Sequence, residues 1–222
     1  MLDSKQIINE EALRQLLQEQ KISRPIFRLP MSREQAIVVL RNAYMVEVTH
    51  RGRAFIYDDA TKANIEALAD ALTADKPKQG IMLAGNVGNG KTTLIQALKA
   101  TIKIAKMQGW FDNGAQTGLR ITDARDIAKL VAINPQEFDA IRRTALLAID
   151  DMGKEPAEVL DYGNAYNPVI ELMECRYNEQ LFTIISTNLT PKQVREKYGN
   201  RIADRFNEMM NVIAFTHDTY RK

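Results

Sequence analysis

The stretch 85–92, GNVGNGKT, has the residue types and the spacing that grip a polyphosphate. Gly85, Gly90, Lys91 and Thr92 fill the G-x-x-x-x-G-K-[ST] pattern of a phosphate-binding loop (Walker A), behind an apolar run and ahead of a helical one. Each type has a physical reason. Glycines let successive backbone N–H groups curl round phosphate oxygens, and the helix that follows adds the positive end of its dipole. Lys91 supplies a point charge for the outer phosphates, and the Thr92 hydroxyl suits Mg2+. The expected nucleotide contacts are Gly85, Asn86, Val87, Gly88, Asn89, Gly90, Lys91, Thr92 and Thr93. A merely glycine-rich turn is the bland alternative, and the flanking strand and helix weigh against it.

The stretch 145–153, ALLAIDDMG, supplies the second half: an apolar run ending in two acids, a Walker B signature. Asp150 is expected in the Mg2+ shell with Thr92, and Asp151 is expected to orient or deprotonate the attacking water. Two acids at an ordinary strand end is the competing reading. Asp150 to Gly153 also spells the D-x-x-G of GTPases, but the chain has no Asn-Lys-x-Asp guanine motif, so ATP is the expected nucleotide. Asn188 ends the next apolar run, FTIISTN. It suits either the start of a turn or a contact with the γ-phosphate and water, the latter if its strand lies between the other two. Arg201 and Arg205 stand at i and i+4, hence on one helix face. They read as solvated charges paired with Asp204 or Glu208, or as an arginine finger completing a neighbouring subunit's site.

These groups need a scaffold, and the chain between residues 78 and 222 alternates strand and helix. The apolar runs IMLA, LRIT, ALLAID, LFTIIST and NVIAFT predict strands covered on both faces. Helices are predicted after Asp123, after Asn134 with Pro135, and after Thr190 with Pro191. The alternation predicts an α/β fold with a mainly parallel sheet and ligands at the strand C-termini. The polar stretch TADKPKQG at 73–80 marks a boundary between a small α+β N-terminal segment, 1–77, and the ATPase domain, 78–222. In the N-terminal segment, 8–20 has helical spacing, Ser32 with Gln35 forms a capping box, and 60–74 reads as a further helix. Residues 45–59, MVEVTHRGRAFIYDD, are predicted as two short strands around an Arg51-Gly52 turn.

Composition narrows the classes. Of 222 residues, 45% are hydrophobic and 26% charged, with a formal charge of +2, so any nucleic-acid contact must rest on local basic patches. The single cysteine, Cys175, is expected to be a core thiol in a reducing compartment. His50 and His217 are too isolated for a metal site. No basic start followed by an apolar run suggests a signal peptide, and no window suggests a membrane helix, so a cytoplasmic protein with no membrane partner is expected.

Taken together, GNVGNGKTT, LLAIDDMGKE, TIISTNLT, YGNRIADRF and the closing VIAFTHDTYRK resemble the AAA+ ATPases of the DnaC-type helicase loaders, a group that includes IstB-like transposition helpers. The resemblance covers residues 80–222. It implies a P-loop NTPase with a five-stranded AAA+ core flanked by helices, and with the Asn188 strand between the P-loop and Walker B strands. It also implies Arg205 as arginine finger with Arg201 in support, no C-terminal lid, and ATP-dependent homo-oligomers. The function it implies is Mg2+-dependent ATP hydrolysis in DNA replication, with single-stranded DNA and a replicative helicase as partners. Alternatives are an IstB-like ATPase serving a transposase, a nucleotide switch with little turnover, and, outside the family, a small-molecule kinase. By the same resemblance, Arg120, Arg125, Lys129, Arg142 and Arg143 form an electrostatic track for DNA, or a solvated surface. Trp110 and Phe111 are expected to cap a helix end more than to stack on bases. The basic stretches 21–30 and 49–55 suit DNA or an acidic partner, and the N-terminal segment is expected to recognise a partner.

Overall fold

The structure is a computed structural model that describes residues 10–20, 26–111, 118–161, 164–216 and 220. Three helices come first: α1 (Glu10–Gln20), α2 (Arg33–His50) and α3 (Asp59–Thr73). The alternating part follows with β1 (Gly80–Gly85), α4 (Lys91–Met107), β2 (Arg120–Asp123), α5 (Ala124–Ile133), α6 (Pro135–Arg142) and β3 (Leu146–Met152). After it come β4 (Val159–Asp161), β5 (Asn164–Tyr166), α7 (Pro168–Asn178), β6 (Phe182–Thr187), α8 (Pro191–Met209) and β7 (Met210–Phe215). His217 and the residues 21–25 of the first basic stretch lie outside the described residues.

All five predicted strands form one parallel sheet in the order β2-β3-β6-β1-β7. The strand that ends before Asn188 therefore lies between the P-loop strand and the acidic strand, as the resemblance implies. β1 and β6 are buried along most of their length because helices cover both faces of the sheet, the pattern that continuous apolar runs encode. Predicted helix starts hold in detail. Asp123 accepts from the Arg125 N–H, Asn134 from the Glu137 N–H, and Thr190 with Gln193 closes a capping box. β4 and β5 form a short antiparallel pair that the sequence reading left out. Arg176 of α7 is wholly buried and donates to the carbonyls of Thr144 (2.7 Å), Arg142 (3.2 Å) and Phe182, tying the starts of β3 and β6 together.

The N-terminal segment departs from expectation. Residues 45–50 continue α2 rather than forming a strand, and 53–58 have no regular structure; only the Arg51-Gly52 turn is where it was predicted. Helical spacing explains the difference. Ala36, Leu40 and Tyr44 bury one face of α2, and Val48 extends the same stripe one turn further, so packing overrides the strand preference of Val46 and Val48. Moreover, α2 and α3 share one apolar cluster with β1, α4 and β7: Leu40, Tyr44, Ile65 and Leu68 pack with Ile81, Leu94, Leu98 and Ile213. Residues 74–79 thus connect elements of a common core. Among the described residues, no helix is long and apolar enough to cross a membrane.

Candidate nucleotide site

The loop after β1 takes a backbone path that its glycines allow. Gly85 has φ 151°, and a Cβ there would lie 2.3 Å from the Phe215 carbonyl oxygen. Gly90, the N-cap of α4, has φ 95°, and a Cβ there would lie 2.3 Å from the Tyr44 hydroxyl. The first N–H groups of α4 have no intrahelical partners and form an anion-binding end. Lys91 is buried with its ammonium turned on the loop itself: it donates to the carbonyls of Gly85 and Asn86, both at 2.7 Å, and to Asn89 Oδ1 at 3.0 Å. Asn89 in turn donates to the Phe215 carbonyl at 3.2 Å, which anchors the loop to β7.

The acids sit where β3 is irregular. Ile149 pairs with Ile185 and Met152 with Thr187, so Asp150 and Asp151 together oppose the single residue Ser186. This bulge re-aims side chains that would alternate in a regular strand, and Asp151 takes φ 57° to complete it. Ser186 Oγ donates to Asp150 Oδ1 and accepts from the Asp151 N–H at 2.8 Å. Thr92 Oγ1 donates to the same Asp150 Oδ1 at 3.1 Å, so hydroxyl and carboxylate oxygens of the two motifs meet at one point. Hard oxygen donors in this number suit Mg2+, which takes one or two protein ligands and completes its shell with water and phosphate. Among the described residues, no cluster of three His, Cys, Asp or Glu side chains offers a different metal site. Asp151 is paired with Lys154, three residues on, in the turn that follows β3.

A cavity of about 640 Å³ opens above the loop. One wall is Val87 to Thr93; opposite stand Asp151, Lys154 and Asn188. The remaining wall was missed by the sequence reading. It comes from the N-terminal segment, with Tyr44, Val48, Arg51, Arg53, Ala54, Ile56, Asp58 and Thr61, and from Tyr220. Tyr220 donates to the Gly88 carbonyl through its N–H (3.1 Å) and to Asp58 through its hydroxyl (2.8 Å). Burial pushes the Tyr44 hydroxyl up to about 12, with Tyr220 and Asp58 adding to the effect, and burial also raises Tyr220, so both are neutral phenols. Ser186 was missed as well, although it stands two residues before Asn188. The wall from α2 had no local signal, since only tertiary packing brings it to the loop.

Arg201 and Arg205 do not line this cavity. Both reach Glu174 on α7, at 3.2 and 2.9 Å, rather than Asp204 or Glu208 as the alternative reading had it. Arg205 also lies 4.8 Å from the centre of the Tyr177 ring, and its side chain is 14% exposed against 73% for Arg201. The predicted DNA track is compensated by acids: Arg120 pairs with Glu137, Arg125 with Asp123, Lys129 with Asp126, Arg142 with Asp139 and Glu171, and Arg143 with Glu179. Phe111 packs on Phe27, which packs on Phe182, so the capping role falls to Phe111 while Trp110 is half-exposed. Cys175 is half-buried rather than in the core, and burial raises its thiol above the ordinary range.

Fold and site together define an α/β P-loop protein with the AAA+ strand order. No family model and no curated protein matches the sequence. Among solved structures the chain is similar to the DnaC helicase loader, at 18% identity and a TM-score of 0.55 over 72% of this chain and 93% of that one. It is similar to DnaI at 20% identity and a TM-score of 0.55, over 82% and 93% of the two chains. The replication initiator DnaA bound to AMPPCP and single-stranded DNA matches at 21% identity and a TM-score of 0.51, over 74% of this chain and 49% of that one. At these identities the likeness is one of fold.

Proposed function

We propose that this chain is a Mg2+-dependent ATPase of the DnaC type, acting in the cytoplasm on DNA replication by engaging a replicative helicase and single-stranded DNA. The observation that carries the reading is the hydrogen bond from Thr92 Oγ1 to Asp150 Oδ1, with β6, the strand ahead of Asn188, lying between β1 and β3. In this reading, ATP lies along the loop with its outer phosphates on Lys91, Thr92 and Asp150 hold the Mg2+, Asp151 aligns water, and Asn188 faces the γ-phosphate. Arg205 would serve a neighbouring subunit in an ATP-dependent homo-oligomer, since it faces away from the cavity of its own chain. DNA would reach the 120–143 region by exchanging phosphates for the acids that now hold its five cations. The N-terminal segment would recognise the helicase.

The test is ATP turnover by the full chain, with Lys91→Ala and Asp151→Asn beside it. Turnover that needs Mg2+ and falls at least a hundredfold in both variants supports the reading; turnover unchanged by either sinks it. Capture of the host's proteins by the ATP-analogue-bound chain then separates partners, because a hexameric helicase supports loading and a transposase redirects the role to an IstB-like helper. One observation favours a second reading, a nucleotide switch with little turnover: Glu174 and Tyr177 cover Arg205. Function surviving in Asp151→Asn would select it.

A further inference from the structure

We infer that Arg51, at the end of α2, is a nucleotide-phosphate ligand on the α-phosphate side of the site, so that the N-terminal segment itself grips the nucleotide. The inference rests on the nucleotide-binding reading above and goes beyond the loop and acid motifs. α2 packs along α4 through Leu40 and Tyr44, and its last turn ends beside the start of α4. Arg51 is the C-cap of α2, and Gly52, at φ 68°, turns the chain away so that the Arg51 side chain projects over the loop. Its Nη1 donates to Thr93 Oγ1 at 3.1 Å. Thr93 stands in the first turn of α4, before Leu94 makes the helix's bond back to the Gly90 carbonyl, so its own N–H belongs to the anion-binding end.

The position round the helix fixes which phosphate is near. Thr92 faces Asp150, the Mg2+ side, and Thr93 lies about a quarter-turn further round α4. Arg51 therefore approaches from the side away from Asp150 and Asn188, where the inner phosphate and the sugar of a nucleotide on this loop would lie. Its charge is also uncommitted. A guanidinium has five N–H donors. Among the described residues, no carboxylate lies within ion-pair distance of Arg51, and a hydroxyl is its side-chain partner. A planar cation with spare donors, facing a ring of orphan N–H groups across a cavity, is arranged for a phosphate oxygen.

The test is competition against a fluorescent ADP by unlabelled ADP and by a non-hydrolysable ATP analogue, on the full chain and on Arg51→Ala and Arg51→Lys. Loss of a charge-assisted contact is expected to weaken both ligands by about tenfold or more. The factor should be the same for both, because both carry the inner phosphate, and Arg51→Lys should recover part of it. Arg51→Ala binding as tightly as the wild type overturns the inference, as does a loss confined to the triphosphate. A fall in the melting temperature of the nucleotide-free protein that accounts for the loss also overturns it, assigning Arg51 to structural support. Lys91→Ala separates the two levels: if the wild type does not hold fluorescent ADP, or holds it no more tightly than Lys91→Ala, the nucleotide site as a whole fails and the inference with it.

Discussion

Removing the Glu155 carboxylate should cost this fold more than any surface ion pair. The Glu155 side chain is 0% exposed, and Lys197, its 3.2 Å partner, is 18% exposed. It accepts from the Gly153 N–H at 2.8 Å and from the Tyr198 hydroxyl, so it joins the turn after the acidic pair to the first part of α8, just ahead of the break at Gly199 (φ 82°) beyond which Arg201 and Arg205 stand. Tyr198 itself is buried, and burial followed by the Glu155 contact raises its hydroxyl far above the ordinary range, which keeps it a proton donor. In Glu155→Ala three donors lose their acceptor at once. Lys197 retains the carbonyls of Gly153 (2.7 Å) and Glu155 (2.6 Å), which tempers the loss but leaves its charge unbalanced. Breaking a buried pair in this way costs about 3–5 kcal/mol. Glu155→Gln keeps the shape and one acceptor and exchanges charged for neutral hydrogen bonds, a loss of about 1–2 kcal/mol. Equilibrium urea denaturation measures both, with an unchanged m-value as the check that the same surface is exposed. Tyr198→Phe beside Glu155→Ala closes a double-mutant cycle, with a coupling of about 1–3 kcal/mol expected. A loss under about 1 kcal/mol for Glu155→Ala, or strictly additive variants, would refute the account of this cluster as a buried charge network.

Other consequences are open to measurement. Gly90→Ala should abolish binding of fluorescent ADP and destabilise the chain by about 1–3 kcal/mol, because its φ of 95° and the Tyr44 hydroxyl both exclude a Cβ; wild-type binding would contradict it. If Arg205 serves a neighbour, Glu174→Gln should loosen its tether and lower the protein concentration at which ATP turnover rises, whereas an unshifted concentration dependence would count against a trans role. The Arg125 side chain holds the Asp123 carboxyl below the usual range, outweighing the opposing effect of burial. A depressed folded-state value contributes stability above the unfolded value of about 3.9 that is lost as pH falls through the folded one. Asp123→Asn keeps the N-cap of α5 but should flatten that acid limb of the stability curve, and an identical limb in both proteins would contradict the pairing.

What the sequence disclosed followed the reach of each signal. The loop at 85–92, the acid pair, the five strands and the caps at Asp123, Asn134 and Thr190 are local patterns, legible because each depends on neighbours within a turn or a strand. Residues 45–50 read as strand because Val46 and Val48 favour strands in isolation, while the i, i+4 stripe from Ala36 to Val48 packs Val48 on the core and carries the helix through Val46, which stays exposed. The wall of the cavity from Tyr44 to Thr61 was illegible for a different reason: it belongs to the site only through the packing of α2 on α4. Arg142 has a local partner in Asp139, but its second acid, Glu171, and the acid that holds Arg143, Glu179, are far along the chain, so this end of the basic track looks freer in sequence than it is. Ser186 was illegible for the same reason, since the bulge that sets both acids against it is a matter of the register between β3 and β6.

The place of β6 also dictates when the site can exist during synthesis. β1 and β3 share no ladder; both are joined through a strand made later than either. On the ribosome, the glycine loop and the acid pair therefore emerge first and wait apart. Inserting a later strand between two earlier ones closes long loops before its contacts repay their entropy, which makes this a slow, late event. A chain halted before Phe182 has both motifs in covalent form but lacks the strand whose ladders join β1 to β3.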